Sequence, residues 1–228
     1  MAEDLVGQRI LVTSGPTRAN IDAVRFISNR SSGRLGRTIT IEALARGAHV
    51  TMVAGPGSVT PQEEEVTEDD WERLRILPIE TVPDLLQTLQ EELMARPRHT
   101  AVVHAMAVLD YVPQHEETKK VPSGKNRWTI KLTRTPKVIR KVKEWSPRSF
   151  LVGFKLEVDK SEEKLTDIAT ALMRQSRADL VVANDLSRIR DEQHPALIVG
   201  TGGNVLSTPR TKTEIARELC DVLAHALG

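Results

Sequence analysis

Residues 25–36, RFISNRSSGRLG, place a guanidinium (Arg25), a carboxamide (Asn29), two hydroxyls (Ser31 and Ser32) and two glycines (Gly33 and Gly36) in one loop leading into a helix. At a helix start the first backbone N–H groups lack partners and the summed peptide dipoles leave partial positive charge, so a phosphate or carboxylate is stabilised there. Ser31 or Ser32 is suited to cap that helix, and Gly33 to let the backbone come close to a ligand. The plain alternative is a capped helix after a polar surface loop. Arg25 and Asn29 argue against it, because a structural cap needs neither, whereas an anion site gains from both a guanidinium and an amide donor. The chemistry these residue types suit is the holding of a phosphorylated ligand.

A second group follows the apolar run that ends at Val108. The chain reads Leu109-Asp110-Tyr111-Val112-Pro113, then a polar stretch carrying Lys119, Lys120 and Lys125, then an alternating segment over 128–132 that predicts a strand. A carboxylate and lysines gathered at one rim can hold Mg²⁺ and a polyphosphate. The plain alternative for the three lysines is a surface loop with solvated charges. His49, His99, His104, His115, His194 and His225 show no spacing suited to a metal-ligand set, so a zinc enzyme is not expected. The run Glu63-Glu64-Glu65, with Asp69 and Asp70, reads as a solvated loop.

Positioning these groups requires a scaffold, and the chain alternates short apolar runs with helical patterns. Strands are predicted over 9–13, 49–54, 74–78, 100–108, 150–156 and 180–183, and helices over 36–46, 83–95, 136–145, 161–177 and 211–226. That order implies an α/β fold with parallel strands joined by crossover helices. Residues 196–207 read as a hairpin around Thr201-Gly202-Gly203-Asn204. The polar stretch after Asp110 leaves from the carboxyl end of a strand, where ligands sit in open α/β sheets, so residues 112–127 are expected to form a flap.

Composition limits the alternatives. A chain of 228 residues with 39% hydrophobic content can bury one core, so residues 1–228 are expected to form a single domain. With 32 basic and 31 acidic residues there is no broad field to draw in nucleic acid or an anionic membrane, and basic groups act locally. The single Cys220 excludes an internal disulfide framework, and ARELCDVLAHAL spaces it on the buried face of a helix. The first residues, MAEDLVGQRI, lack an apolar leader, and no long apolar stretch exists, so a cytoplasmic protein without a membrane span is expected.

Taken together and in order, RFISNRSSGRLG, the Leu109-Asp110-Tyr111 step, TPKVI over 135–139, VGFKLE over 152–157 and VANDL over 182–186 resemble phosphopantothenate-cysteine ligase, also called phosphopantothenoylcysteine synthetase. The resemblance spans most of the chain and is to the stand-alone form, without an upstream decarboxylase half. It implies a Rossmann-like doubly wound, mostly parallel sheet and a homodimer. It also implies a reaction of coenzyme A biosynthesis: a nucleoside triphosphate, CTP or ATP, activates the carboxylate of 4'-phosphopantothenate as an acyl nucleotidylate, and the amine of cysteine then displaces the nucleotide. No side-chain nucleophile is required, in keeping with the lack of a Ser-His-Asp or Cys-His pattern.

By the same resemblance Asn29 stabilises the acyl nucleotidylate, Arg25 serves the second half-reaction or orients the substrate, and Lys120 reaches the triphosphate from the flap. Nucleotide binding falls to Gly15, Ser31, Ser32, Gly33, Ala107, Asp110, Lys120, Pro136, Lys137, Val138, Ile139 and Phe154, with Asp110 also the Mg²⁺ ligand. Departures from the family pattern are Lys155-Leu156 after the phenylalanine, Ser123-Gly124-Lys125 in the flap, and Met106 and Leu109 where alanines are common in a pocket wall. Arg174 and Arg177 stand for the basic positions expected late in the 161–177 helix. Two other readings are a short-chain nicotinamide-dependent reductase and a non-catalytic nucleotide-binding module. The first lacks a G-x-G-x-x-G loop, and Tyr111 has His115 where a lysine is needed; against the second, Asn29, Arg25, Lys120 and Asp110 are all present, whereas decay of a catalytic site usually removes at least one.

Overall fold

The computed structural model describes residues 3–124, 126–190 and 192–228. Strand β1 (Arg9–Ser14) is followed by a small hairpin, β2 (Arg18–Asn20) and β3 (Phe26–Ser28), before α1 (Arg34–Ala45) and β4 (His49–Ala54). Next come α2 (Glu68–Glu72), β5 (Leu74–Pro78), α3 (Val82–Met94) and β6 (Ala101–His104). A second hairpin, β7 (Tyr111–Pro113) and β8 (Leu132–Arg134), precedes α4 (Val138–Trp145), β9 (Phe150–Glu157), α5 (Glu162–Ser176) and β10 (Leu180–Asp185). The chain ends in β11 (Ala196–Val199), β12 (Val205–Ser207) and α6 (Lys212–Leu227).

The main sheet runs β12-β11-β10-β9-β6-β1-β4-β5, parallel from β10 to β5 and antiparallel at β10–β11–β12. Its parallel part therefore has the order of a Rossmann-like doubly wound sheet, with its switch point between β1 and β6. There the chain leaves β1 toward β4 on one side and leaves β6 toward β9 on the other.

Burial on both faces explains the unbroken apolar runs. Ile10, Val12, Val50, Val103, Val152 and Val182 meet α1 and α6 on one face, where Leu44, Leu219 and Cys220 are fully buried. Leu11, Val53, Val102, Leu151 and Val181 meet α3, α4 and α5 on the other. Burial pushes the Cys220 thiol up to about 12, as its place on the inner face of α6 requires.

Several sequence expectations need correction. The run over 100–108 is a strand only through His104, because beyond it the pairing with the chain after β1 is reduced to the isolated parallel bridge of Pro16 with Ala107. The alternation over 128–132 forms no strand until Leu132, where Tyr111–Pro113 supplies a partner. The acidic run is no featureless loop: Glu63–Glu65 forms a 3-10 turn whose Glu65 pairs with Arg37, and Asp70 closes a reciprocal cap with Thr67 at the start of α2. Met106 and Leu109 belong to the core on the α3–α4–α5 side, not to a pocket wall.

His104 closes β6 in full burial and shares a 2.9 Å hydrogen bond with Thr13 of β1. Burial lowers its pKa from 6.5 to about 4, so between those values the unfolded chain binds a proton that the native one does not. That contribution is complete above pH 6.5 and is lost as pH falls to 4. Urea unfolding from pH 7 to pH 4 should show a decline in stability that His104→Asn reduces by about 3 kcal/mol. A variant with an unchanged pH slope would overturn this assignment.

Candidate active site

At the switch point the loops that follow β1 and β6 are tied to each other at Ala107 and by the N–H of Leu109 donating to the Thr17 hydroxyl at 2.9 Å. Ala107 N–H donates to the Gly15 carbonyl at 2.8 Å, and its own carbonyl accepts from Thr17 N–H at 3.2 Å. The same carbonyl accepts from the Asn29 side-chain amide at 3.0 Å. Asn29, just past the end of β3, is exposed, so its second amide hydrogen and its oxygen stay open to a ligand.

Gly15 and Gly33 are where this arrangement needs glycine. Gly15 has φ of 79°, and a Cβ there would lie 1.6 Å from the Ser58 hydroxyl oxygen. Gly33 has φ of 75°, is the N-cap of α1, and is held by the Ser14 hydroxyl donating to its carbonyl at 3.0 Å. This corrects the expected cap: neither Ser31 nor Ser32 caps α1, because a left-handed glycine occupies the capping position and no side chain bonds the first turn. The first N–H groups of α1 therefore carry no side-chain partner, as an anion site requires. A cleft of about 700 Å³ beside this end is lined by Arg34, Arg37, Ser58, Thr60 and Lys212.

The other wall is built by the segment 135–139. Thr135 is buried, donating its hydroxyl to the Leu109 carbonyl at 2.6 Å and its N–H to the Asp110 carbonyl at 2.9 Å. Pro136 is exposed, Lys137 caps α4 without a side-chain bond, and Val138 and Ile139 are buried under it. Lys137 Nζ lies 2.6 Å from Asp110, so among the described residues the cation paired with this carboxylate comes from the cap of α4 and not from Lys119 or Lys120. Phe154 is half-buried and is the first β9 residue beyond the end of the β6 ladder, at the carboxyl rim of the sheet.

Arg25 lies on the near side of the flap. Its guanidinium bonds Asp22 at 2.5 Å, donates to the Val121 carbonyl at 2.7 Å, and stacks 4.4 Å from the Trp128 ring centre. Lys119 and Lys120 are exposed on the excursion next to Val121, while Lys125 lies outside the described residues. Among the described residues no group of three or more His, Cys, Asp or Glu side chains could hold a metal by itself.

Arg174 and Arg177 are not brought to the site. Crossover helix α5 runs opposite to the strands, so its last turn is at the far edge of the sheet, about 20 Å from its first. Lys160 and Lys164 stand at the site end instead. Sequence reasoning also passed over Asp185, whose carboxylate accepts from the Ser187 hydroxyl and N–H and the Lys160 and Asp159 N–H groups. Those bonds, led by Ser187, hold its pKa down at about 2 and fix the turn between β9 and α5. Asp22 and Ser58 were missed as well, since a lone Asp or Ser in a polar stretch carries no spacing signal. No helix among the described residues is long and apolar enough to cross a membrane.

The fold has counterparts in known proteins. A crystal structure of a DNA/pantothenate metabolism flavoprotein from Streptococcus pneumoniae superposes with a TM-score of 0.85 at 34% identity, covering 96% of this chain and all of that one. The C-terminal domain of a coenzyme A biosynthesis bifunctional protein CoaBC superposes with a TM-score of 0.78 at 28% identity, covering 99% of this chain and 98% of that domain. The coenzyme A biosynthesis bifunctional protein CoaBC of Thermococcus kodakarensis is 37% identical over 225 residues, 99% of this chain and 53% of the relative. The chain spans about half the length of the curated relatives it matches. Residues 5–227 match the family model described as the DNA/pantothenate metabolism flavoprotein C-terminal domain, and the chain belongs to that family.

Proposed function

We propose that this chain is a phosphopantothenate-cysteine ligase of coenzyme A biosynthesis, joining 4'-phosphopantothenate to cysteine through an acyl nucleotidylate, with CTP, or else ATP, as co-substrate. The observation that carries this reading is the placement of Asn29 at the switch point, hydrogen-bonded to the Ala107 carbonyl with an amide hydrogen still available. Family membership and the pairing of Asp110 with Lys137 at the rim support it, with Lys120 exposed on the excursion that follows Asp110. Action as a homodimer in the cytoplasm belongs to the same proposal.

The chemistry sets the roles. A carboxylate is a poor electrophile until one oxygen becomes a leaving group, so the phosphopantothenate carboxylate attacks the α-phosphorus and expels pyrophosphate. The cysteine amine then attacks the acyl carbon, releasing the nucleoside monophosphate and forming the amide. Asn29 donates its open N–H to an oxygen of the mixed anhydride, its orientation fixed in advance by the bond to Ala107. The β- and γ-phosphates face Lys120, and the base or ribose rests against Phe154 and the 136–139 segment.

The donor set at Asp110 fits Mg²⁺, which binds through one or two carboxylates together with substrate phosphates and water. Asp110 would hold it, and the ion would neutralise charge on the triphosphate. Lys137 can transfer its interaction from Asp110 to a phosphate oxygen when that happens. Placement and charge neutralisation account for the catalysis with no covalent enzyme intermediate.

Pyrophosphate release should require phosphopantothenate together with CTP or ATP, with amide product formed only when cysteine is added. No release with either nucleotide would refute the ligase reading. Asn29→Asp should bind nucleotide nearly as well as the parent while the bound acyl nucleotidylate, detected by mass spectrometry of the quenched enzyme, falls below detection; full turnover would remove Asn29 from its role. Lys120→Gln should lower kcat/KM for the triphosphate by about 10²–10³-fold, the usual size for loss of one charged donor to a developing anion. A loss under twofold in steady-state kinetics would place Lys120 outside the site.

A further inference from the structure

Asp22 sits in the turn of the β2–β3 hairpin with its side chain fully buried. One carboxylate oxygen accepts from the Val24 and Arg25 N–H groups at 3.0 and 2.9 Å, which is all a local turn of this kind needs. The other oxygen accepts from Arg25 Nε at 3.0 Å and Nη2 at 2.5 Å, and from the N–H of Val121 at 3.0 Å. Val121 is 99 residues away in sequence. Its carbonyl is taken by Arg25 Nη2 at 2.7 Å, so the Asp22–Arg25 ion pair satisfies both backbone groups of one flap residue.

Two more contacts join the same partners. Glu117 N–H donates to the Ile21 carbonyl at 3.1 Å, and the Trp128 ring lies against the Arg25 guanidinium. The turn therefore holds the excursion at residues 117, 121 and 128. Residues 114–120 and 122–124 are otherwise exposed.

We propose that Asp22 is a positioning residue for the flap: with Arg25 it forms a charged latch that fixes the peptide next to Lys120 over the nucleotide site. This rests on the ligase reading for its effect on turnover, though not for the latch itself. Arg25 then contributes by holding Val121 and Trp128 in place. The Arg25 guanidinium and the backbone N–H groups keep the Asp22 carboxyl well below the usual carboxylate range, so the latch stays charged at any working pH.

The test is hydrogen exchange and limited trypsin digestion of the full chain as the parent and as Asp22→Asn, with steady-state kinetics alongside. In the variant, exchange across 117–124 should speed up by about tenfold or more, the size of one lost charge-assisted hydrogen bond. Cleavage after Lys119 and Lys120 should accelerate in step, while amides of β1 and β6 keep their protection. KM for the nucleotide should rise more than kcat falls, so that excess nucleotide restores most of the rate.

A purely structural turn would instead loosen residues 23–25 and leave 117–124 unchanged, which would overturn the proposal. Loss of flap protection with an unchanged nucleotide KM would likewise overturn the positioning role, without touching the ligase reading. Absence of pyrophosphate release in the parent would refute that reading and leave the exchange result to stand by itself. If Asp22→Asn does not fold, Val121→Pro removes the flap donor and leaves the turn intact; unchanged exchange at 117–120 in that variant would sink the latch.

Discussion

Ala107 binds together two loops that the topology sends in opposite directions. After β1 the chain crosses toward β4, after β6 toward β9, and the gap that opens between them is the crevice in which doubly wound sheets hold ligands. Left alone, those loops would separate with unsatisfied backbone groups at a partly buried site. The N–H of Ala107 to Gly15, its carbonyl to Thr17, and the parallel bridge of Pro16 with Ala107 continue the β1–β6 pairing one step past the strands. Asn29 uses the lone pair left on that carbonyl, so the carboxamide inherits the rigidity of the sheet. Two further groups at the site are held from the strand ends that meet here: Gly33 through Ser14, Asp110 through Leu109 and Thr135.

Charge at the site is held in ion pairs of two kinds. Arg25 is bound to Asp22, Lys137 to Asp110, Arg37 to Glu65. Among these the first is buried at its carboxylate, and removing one partner would leave an uncompensated charge, so it suits a structural hinge. Lys137–Asp110 is exposed on both sides, worth little as a stabilising contact, and so available for an anion to take over the cation. A chain of net charge +1 has no long-range field, so on the ligase reading a triphosphate would be met by local cations released from such pairs.

What the sequence carried follows from what repetition can encode. Parallel strands covered on both faces show as apolar runs, and His49–Ala54 and Leu74–Pro78 were legible to the residue. The β2–β3 hairpin was not: Arg18–Asn20 and Phe26–Ser28 are three residues each, too short for any period to register, and they are stabilised by bonds to loops far away in the chain. The strand expected at 128–132 had the right alternation and lacked a partner until Leu132, because a ladder is a property of two segments. Asn29, Gly33 and Asp110 could be singled out by residue type, whereas Asp22 acquires its meaning only when residue 121 is brought to it.

The direction of α5 shows how topology decides a matter that motif spacing leaves open. In a parallel sheet each crossover helix starts at the carboxyl rim and returns to the amino rim, so the first turn of such a helix is near the ligand and the last is remote. Arg174 and Arg177, in and after the last turn, are excluded on that ground, and the left-handed Arg177 serves to end the helix and send the chain into β10. Lys160, whose N–H is fixed by Asp185, is carried to the rim by the same rule. The buried Asp185 carboxylate holds the start of α5 much as Asp22 holds the flap: in each case an ionised oxygen pair takes up several N–H groups from a turn and thereby sets where the neighbouring lysine begins. In both places an anion fixed inside the fold presents a cation outside it, and on the ligase reading a triphosphate would meet those cations without competing against the buried carboxylates.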